Sequence, residues 1–188
     1  MKISSINLNF GKSLIAKCNI KDENQNKRSV SLYEYNPKDY NDSDEIDDLF
    51  IEGDLSEKFY KSFFRVGDNY SRFFILRDNK ENKAFAASEV EYHRVLNNPI
   101  LGNYAEIKNL ESNQTYPNSL NPVIGFISKM AKLNDLDNIV VFNNNADSSQ
   151  LGNYGFKKSK FDISIMPKKE YTNNTKKART ENNINYRV

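Results

Sequence analysis

Tryptophan is absent from this sequence, and cysteine and histidine occur once each, as Cys18 and His93. A lone cysteine excludes an internal disulfide, and one Cys with one His cannot assemble a standard Cys/His zinc site. Long apolar runs are also missing. None approaches the roughly 20 residues that span a bilayer, and Met1 to Phe10 lacks the charged-then-apolar form of a secretion signal, so a cytoplasmic protein with no membrane partner is expected. Charge of one sign does not dominate either. A net charge of +2 implies no strong global attraction to nucleic acid or acidic lipid.

What is present suits one domain. The 188 residues are 38% apolar and 28% charged, and 12 Phe and 11 Tyr supply large core side chains. The 28 Asn are spread along the chain, which fits codon bias in an AT-rich, bacterial or phage-like genome better than a prion-like tract.

The clearest order of elements lies between Ala105 and Phe156. A strand at about Tyr104 to Leu110 leads through a polar loop, Ser112 to Asn121, into a helix. There Val123, Ile124, Phe126, Ile127, Met130, Ala131 and Leu133 recur at spacings of three and four. Asn121 is placed to cap that helix, with Pro122 at its first position. Ile139-Val140-Val141-Phe142 then reads as a strand buried on both faces and closed by three asparagines. If the two strands are parallel, this is a βαβ unit, and its loop before the helix is the default place for a phosphate-bearing ligand.

The remaining segments fill out an α+β pattern. Met1 to Ile20 is expected to form a hairpin, Lys21 to Arg28 a loop, and Val30 to Tyr35 a strand ended by Asn36-Pro37. Asp39 to Glu57 holds nine acidic residues and no basic one, either a solvated helix face or a rim that draws a cationic acceptor. Glu57 to Arg65 has the aromatic spacing of an amphipathic helix. Arg72 to Leu76 and Ala84 to His93 read as paired strands, with Ala84, Ala86 and Ala87 set against a bulky neighbour or a ligand. His93 is either structural or a candidate base. Gly11-Lys12-Ser13 lacks the earlier glycine of a P-loop, and two copies of Leu-Gly-Asn-Tyr make no repeat. Phe161, Ile163 and Ile165 alternate in a last strand that stops at Pro167. Lys168 to Val188 carries six basic residues against two acidic. It is expected to be a mobile tail that solubilises, or that holds phosphate backbones with Tyr171 and Tyr186 for stacking.

The central segment resembles the GNAT-type N-acetyltransferase family. That family's strand leads into a pyrophosphate loop of pattern R/Q-x-x-G-x-G/A, then helix, strand and a Gly-Phe pair. Tyr116 to Asn121 falls on the loop, with Tyr116 in place of Arg or Gln and Ser119 and Asn121 in place of both glycines. The later pattern N-x-x-A-x-x-x-Y-x-x-x-G-F falls on Asn144 to Gly155-Phe156, with Asp147 at the alanine and Leu151 at the tyrosine.

The resemblance implies a GNAT-like acyltransferase fold, a mixed central sheet with flanking helices over 30–167, preceded by a hairpin extension (1–29) and followed by a basic tail (168–188). It implies acetyl-CoA as cofactor, held by Ser119, Leu120, Asn121, Val123 and Asn144. Transfer to an amine-bearing small molecule or protein would use Glu111 or Glu106 as general base and Tyr154, with Tyr104 or solvent as alternatives, as general acid. Two added Cβ atoms in the loop hinder close backbone approach to a diphosphate. A catalytically inactive module that recognises a partner protein is the alternative, and a nucleic-acid accessory acting through the basic tail is a third.

Overall fold

The computed structural model describes residues 11–65, 71–78, 80–94, 100–112, 116–142, 148–159 and 162–187. Its strands are β1 (Ser13–Lys21), β2 (Lys27–Tyr35), β3 (Ser71–Asp78), β4 (Lys83–His93), β5 (Tyr104–Ser112), β6 (Asn138–Phe142), β7 (Lys157–Lys158) and β8 (Ile163–Pro167). They form one mixed sheet in the order β1-β2-β3-β4-β5-β6-β8-β7. Every neighbouring pair is antiparallel except β5–β6. That pair is joined by the crossover helix α3 (Leu120–Leu133), as parallel neighbours require.

Two layers of helix cover the sheet. On one face, α1 (Tyr40–Ile51) and α2 (Glu57–Phe63) bury Ile46, Leu49, Phe59 and Phe63 against Tyr35, Phe73, Ile75, Ala84 and Ala87. Asp39 caps α1 by accepting from the N–H groups of Asn41 and Asp42, and Ser56 caps α2 by accepting from Phe59. Small side chains on β4 therefore do face bulky partners: Phe73 meets Phe59 and Phe63 edge-on at 5.7 and 5.0 Å. On the other face, α3 packs on Phe74, Val90, Ala105, Ile107, Ile139 and Val141. A short helix α4 (Ser148–Leu151) continues into a 3-10 turn, Gly152–Tyr154. Gly155, at φ 81, ends that turn in the left-handed region.

Two expectations are revised, and a third, the hairpin of Met1 to Ile20, lies partly outside the described residues. β1 pairs with β2 from Ser13↔Glu34 to Lys21↔Lys27, around a turn in which Asp22 accepts from Gln25 and Asn26, so the hairpin spans 13–35. Residues 1–10 lie outside the described residues. Asn121 sits inside the first turn of α3 and its side chain does not cap it; Ser119 occupies the cap position without a side-chain bond. The basic C-terminal segment is not a mobile tail: it forms a 3-10 turn (Lys168–Glu170) and then α5 (Tyr171–Asn182). Tyr171, Ala178, Ile184 and Tyr186 are buried in the α3 side of the core. Gly125 permits that contact, because a Cβ there would lie 2.7 Å from the Cβ of Ala178 and collide with the Tyr186 hydroxyl. Tyr186 donates to the Pro122 carbonyl at 2.8 Å.

Candidate functional site

The site begins where β5 and β6 part. β5 stays paired with β4 as far as Ala86↔Ser112, but its parallel pairing with β6 covers only Tyr104↔Asn138 to Ile107↔Val141. A bulge coincides with the parting: Ile107 opposes Val90 and Asn109 opposes Glu89, which leaves Lys108 without an opposite residue. Extra residues of this kind bend a strand and release backbone groups from the ladder. Beyond the parting lies a cavity of about 310 Å³ lined by Leu110, Glu111, Ser112, Leu120, Gln150, Leu151 and Ser56. A second, of about 320 Å³, shares Ser56, Glu111 and Ser112 with it and reaches Asp54 and Ala84 to Ala87. The alanines thus serve both readings, packing on aromatics and lining open space.

The two candidate carboxylates have different surroundings. Glu111 is tied to the start of α2, accepting from the Ser56 backbone N–H at 3.0 Å and from the Ser56 hydroxyl. Glu106 stands opposite Glu91 across β4–β5 and lies 3.1 Å from Nε2 of His93, whose ring stacks on Tyr104 at 4.6 Å. Lys108 closes the group with a 2.7 Å ion pair to Glu91, a bond that raises the lysine pKa. Tyr104 is pushed upward by burial and by the carboxylates of Glu106 and Glu91.

Sequence reasoning missed a third carboxylate. Glu89 is 3% exposed and accepts from Ser62 and Asn109 at 2.6 Å and from Ser71 at 2.9 Å, which locks α2, β3 and β5 to β4 beside the bulge. The signal was the alternation Glu89, Glu91, His93, a polar period of two inside an otherwise apolar strand.

At the start of α3, Ser119, Leu120, Asn121 and Val123 are all buried. The Ser119 and Asn121 N–H groups already donate to Tyr116 and Asn118 carbonyls at 2.9 and 3.2 Å. Two of the four donors expected for a diphosphate are therefore spent on the turn itself. The Asn121 side chain bridges Tyr154, which donates to it at 2.9 Å, and Glu181, which accepts from it at 2.6 Å. Burial and the Glu181 charge push the Tyr154 phenol up, and Lys177 lies over its ring at 4.8 Å. Tyr154 thus belongs to the α3–α5 side, and a further cavity of about 310 Å³ there shares the lining residues Ser112 and Gln150 with the first. Asn144 lies outside the described residues.

The acidic segment is mostly engaged within the fold. Asp39 caps α1, buried Asp42 accepts from the N–H groups of Lys12 and Asn36, and Asp47 accepts from Tyr60. Glu45 joins Lys12, Arg77 and Tyr35, while Glu57 pairs with Lys61. Asp44, Asp48 and Glu52 face solvent.

No protein-family model matches this sequence, and no curated protein matches it. Solved structures do resemble it. A GNAT-family acetyltransferase from Staphylococcus aureus Mu50 superposes with a TM-score of 0.50 at 12% identity, over 74% of this chain and 99% of that one. A point mutant of the AtaT toxin, bound to the C-terminus of the antitoxin AtaR and acetyl-CoA, gives 0.52 at 8% identity over 76% and 95%. AtaTR bound with acetyl-CoA gives 0.52 at 10% identity over 76% and 96%. The chain has the mixed-sheet fold of GNAT acetyltransferases.

Proposed function

We propose that this chain is an acyl-CoA-dependent N-acyltransferase that moves an acetyl group to an amine. One observation carries the reading: the parallel pair ends at Ile107↔Val141 while β5 runs on to Ser112 beside a cavity. A strand edge without a neighbour offers backbone donors and acceptors to an extended, amide-bearing arm, as in strand addition. Pantetheine is such an arm, and Leu110, Leu120 and Leu151 supply an apolar wall for it. Acetyl-CoA, when bound, contributes a thioester carbonyl that is already activated. The fit is poorer at the start of α3, where the turn has used the Ser119 and Asn121 donors.

The chain's residues supply the rest. Attack by an amine nitrogen requires that it give up a proton, and the His93–Glu106 pair beside the bulge is the acceptor. Glu111, held by Ser56, positions α2 at the cavity mouth. The leaving thiolate takes its proton from solvent, since the Tyr154 hydroxyl is buried and committed to Asn121. Assay of thiol release against a panel of amines tests this. Glu106→Gln should lower kcat about 10²- to 10⁴-fold, the range of a lost general base, with KM for acetyl-CoA unchanged.

The closed turn at α3 favours a second reading, a non-catalytic module with this fold that recognises a protein partner. AtaT in complex with its antitoxin is an example of the fold engaging a protein. Absence of any acetyl-CoA binding at millimolar concentration would select this reading. Nucleic-acid binding through the C-terminal segment is less favoured, because α5 is docked in the core and Lys168 is paired with Asp135 at 2.5 Å.

A further inference from the structure

The polar alternation that ends β4 gathers donors as well as charge. Val90 and Tyr92 of β4 turn toward the core beneath α3, as do Ala105 and Ile107 of β5, so Glu91, His93 and Glu106 share the other face of the sheet. Glu91 and Glu106 are register partners, and like charges set directly opposite one another destabilise a ladder unless a cation lies between them. Nε2 of His93 completes the group, 3.1 Å from a Glu106 oxygen and 4.0 Å from a Glu91 oxygen. Among the described residues this is the one set of three Cys, His, Asp or Glu side chains whose donor atoms all lie within 4.8 Å of one another. An ion held at about 2.0–2.2 Å by imidazole nitrogen and carboxylate oxygen keeps such donors about 3–3.5 Å apart, a spacing within reach of small side-chain rotations and no backbone change. Tyr104, stacked on the imidazole at 4.6 Å and 21°, holds the ring plane with Nε2 toward the carboxylates. The His93, Glu91 and Glu106 side chains are 26, 17 and 15% exposed, open enough for an ion to enter. Lys108, 2.7 Å from the same Glu91 oxygen, is the competing cation, and its ion pair is with Glu91 and not with Glu106.

We propose that Glu91, His93 and Glu106 bind a divalent transition-metal ion of the zinc type, which displaces Lys108 from Glu91. One imidazole and two carboxylates make a mixed donor set, which suits Zn²⁺ better than Mg²⁺ or Ca²⁺, whose sites are built of oxygen. Three protein ligands leave a position for water, so the site is open rather than closed. The site stands apart from the acyltransferase reading. Within that reading an ion on Nε2 takes the lone pair that the His93–Glu106 pair offers to the amine proton, and zinc inhibits transfer.

Titration of the full chain, freed of metal by a chelator, with Zn²⁺ and in parallel with Mg²⁺ tests it, the imidazole nitrogens being followed by NMR. His93 is the single histidine, so its signals report the site in the wild type without a variant, and Cys18 is buried and does not compete. Zn²⁺ should shift the Nε2 resonance, and Mg²⁺ at the same concentration should leave it in place. Calorimetry gives the affinities of variants. Loss of an outer-shell partner already costs about 10- to 100-fold in metal affinity, so Glu91→Gln and Glu106→Gln should each weaken Zn²⁺ binding by at least that factor. Glutamine keeps the size of the side chain and removes one charge from a facing pair, so both variants should fold as the wild type does. Lys108→Met should tighten binding about fivefold by releasing Glu91. An imidazole that Zn²⁺ leaves unmoved would overturn the proposal, as would an affinity that both glutamate changes leave intact. Binding of Mg²⁺ as tight as that of Zn²⁺ would refute the mixed donor set. Zinc binding at His93 in a chain without transferase activity would uphold the site and remove the acyltransferase reading alone.

Discussion

Single residues carry strong tests here, because several sit where one atom decides the outcome. Gly125 is the sharpest. Alanine in mid-helix is favoured over glycine by about 1 kcal/mol, yet a Cβ at this position meets Ala178 at 2.7 Å and the Tyr186 hydroxyl. Overpacking typically costs about 1–3 kcal/mol, so Gly125→Ala should lower Tm by several degrees in a thermal melt. A higher Tm would mean that α5 is not docked there.

Cys18 is buried, and burial pushes its thiol up to about 12. The reactive thiolate is then about one part in ten thousand at pH 8. A thiol-reactive disulfide should label it only as the protein unfolds, and rapid labelling of the native chain would contradict the packing of β1.

Glu45 gives the pH dependence. Burial opposes its ionisation, but Lys12, Arg77 at 2.5 Å and Tyr35 at 3.0 Å outweigh it, and the folded pKa lies below the ordinary 4.5. A depressed carboxylate contributes stability above its unfolded value and loses it as pH falls through the folded one. Glu45→Gln should therefore flatten the loss of stability below about pH 4.5, measured by urea unfolding across pH; an unchanged acid limb would remove Glu45 from the account.

At the scale of elements, legibility followed locality. α3 and β6 were readable because seven apolar residues at helical spacing and a continuous β-branched run admit few alternatives. The pairing of β1 with β2 through a turn at Asp22 was not legible, because strand partners are chosen across the chain and the apolar run Leu14 to Ile20 does not name its neighbour. α5 was hidden for a different reason. Lys, Asn and Thr cover most of it, and only Tyr171 and Ala178 mark its buried side, too few to show a period. Its anchoring depends on Gly125, which lies some fifty residues earlier and gives no local sign. The docking has a measurable consequence. Deleting residues 168–188 removes Tyr171, Ala178, Ile184 and Tyr186 from the core, where each large side chain is worth about 1.5–3 kcal/mol. The truncated chain should lose about 5 kcal/mol or more in denaturant unfolding, while a dispensable tail would cost almost nothing.

For the molecule as a whole, the site is a property of sheet topology more than of any motif. Among the described residues seven adjacent pairs hold the sheet together, and six run antiparallel, so the one parallel junction there is where strand directions allow the sheet to open beside a crossover helix. The sequence showed that junction through strand, helix and strand in order, and it placed Glu106 and Glu111 correctly on one strand. It could not show that Glu111 would be claimed by Ser56 or that Glu106 would meet His93, since both contacts join segments far apart in the chain. The open edge predicts a pattern of amide exchange. Between Lys108 and Ser112 the groups facing away from β4 lack a ladder partner among the described residues, so part of this stretch should exchange faster than Tyr104 to Ile107, which are paired on both sides. Saturating acetyl-CoA should then slow exchange at 108–112 more than anywhere else in β5, because an amide-bearing arm laid along the edge takes up those groups. Slowing confined to the surface of α1 or α2, with 108–112 unchanged, would place the ligand outside the parted strands.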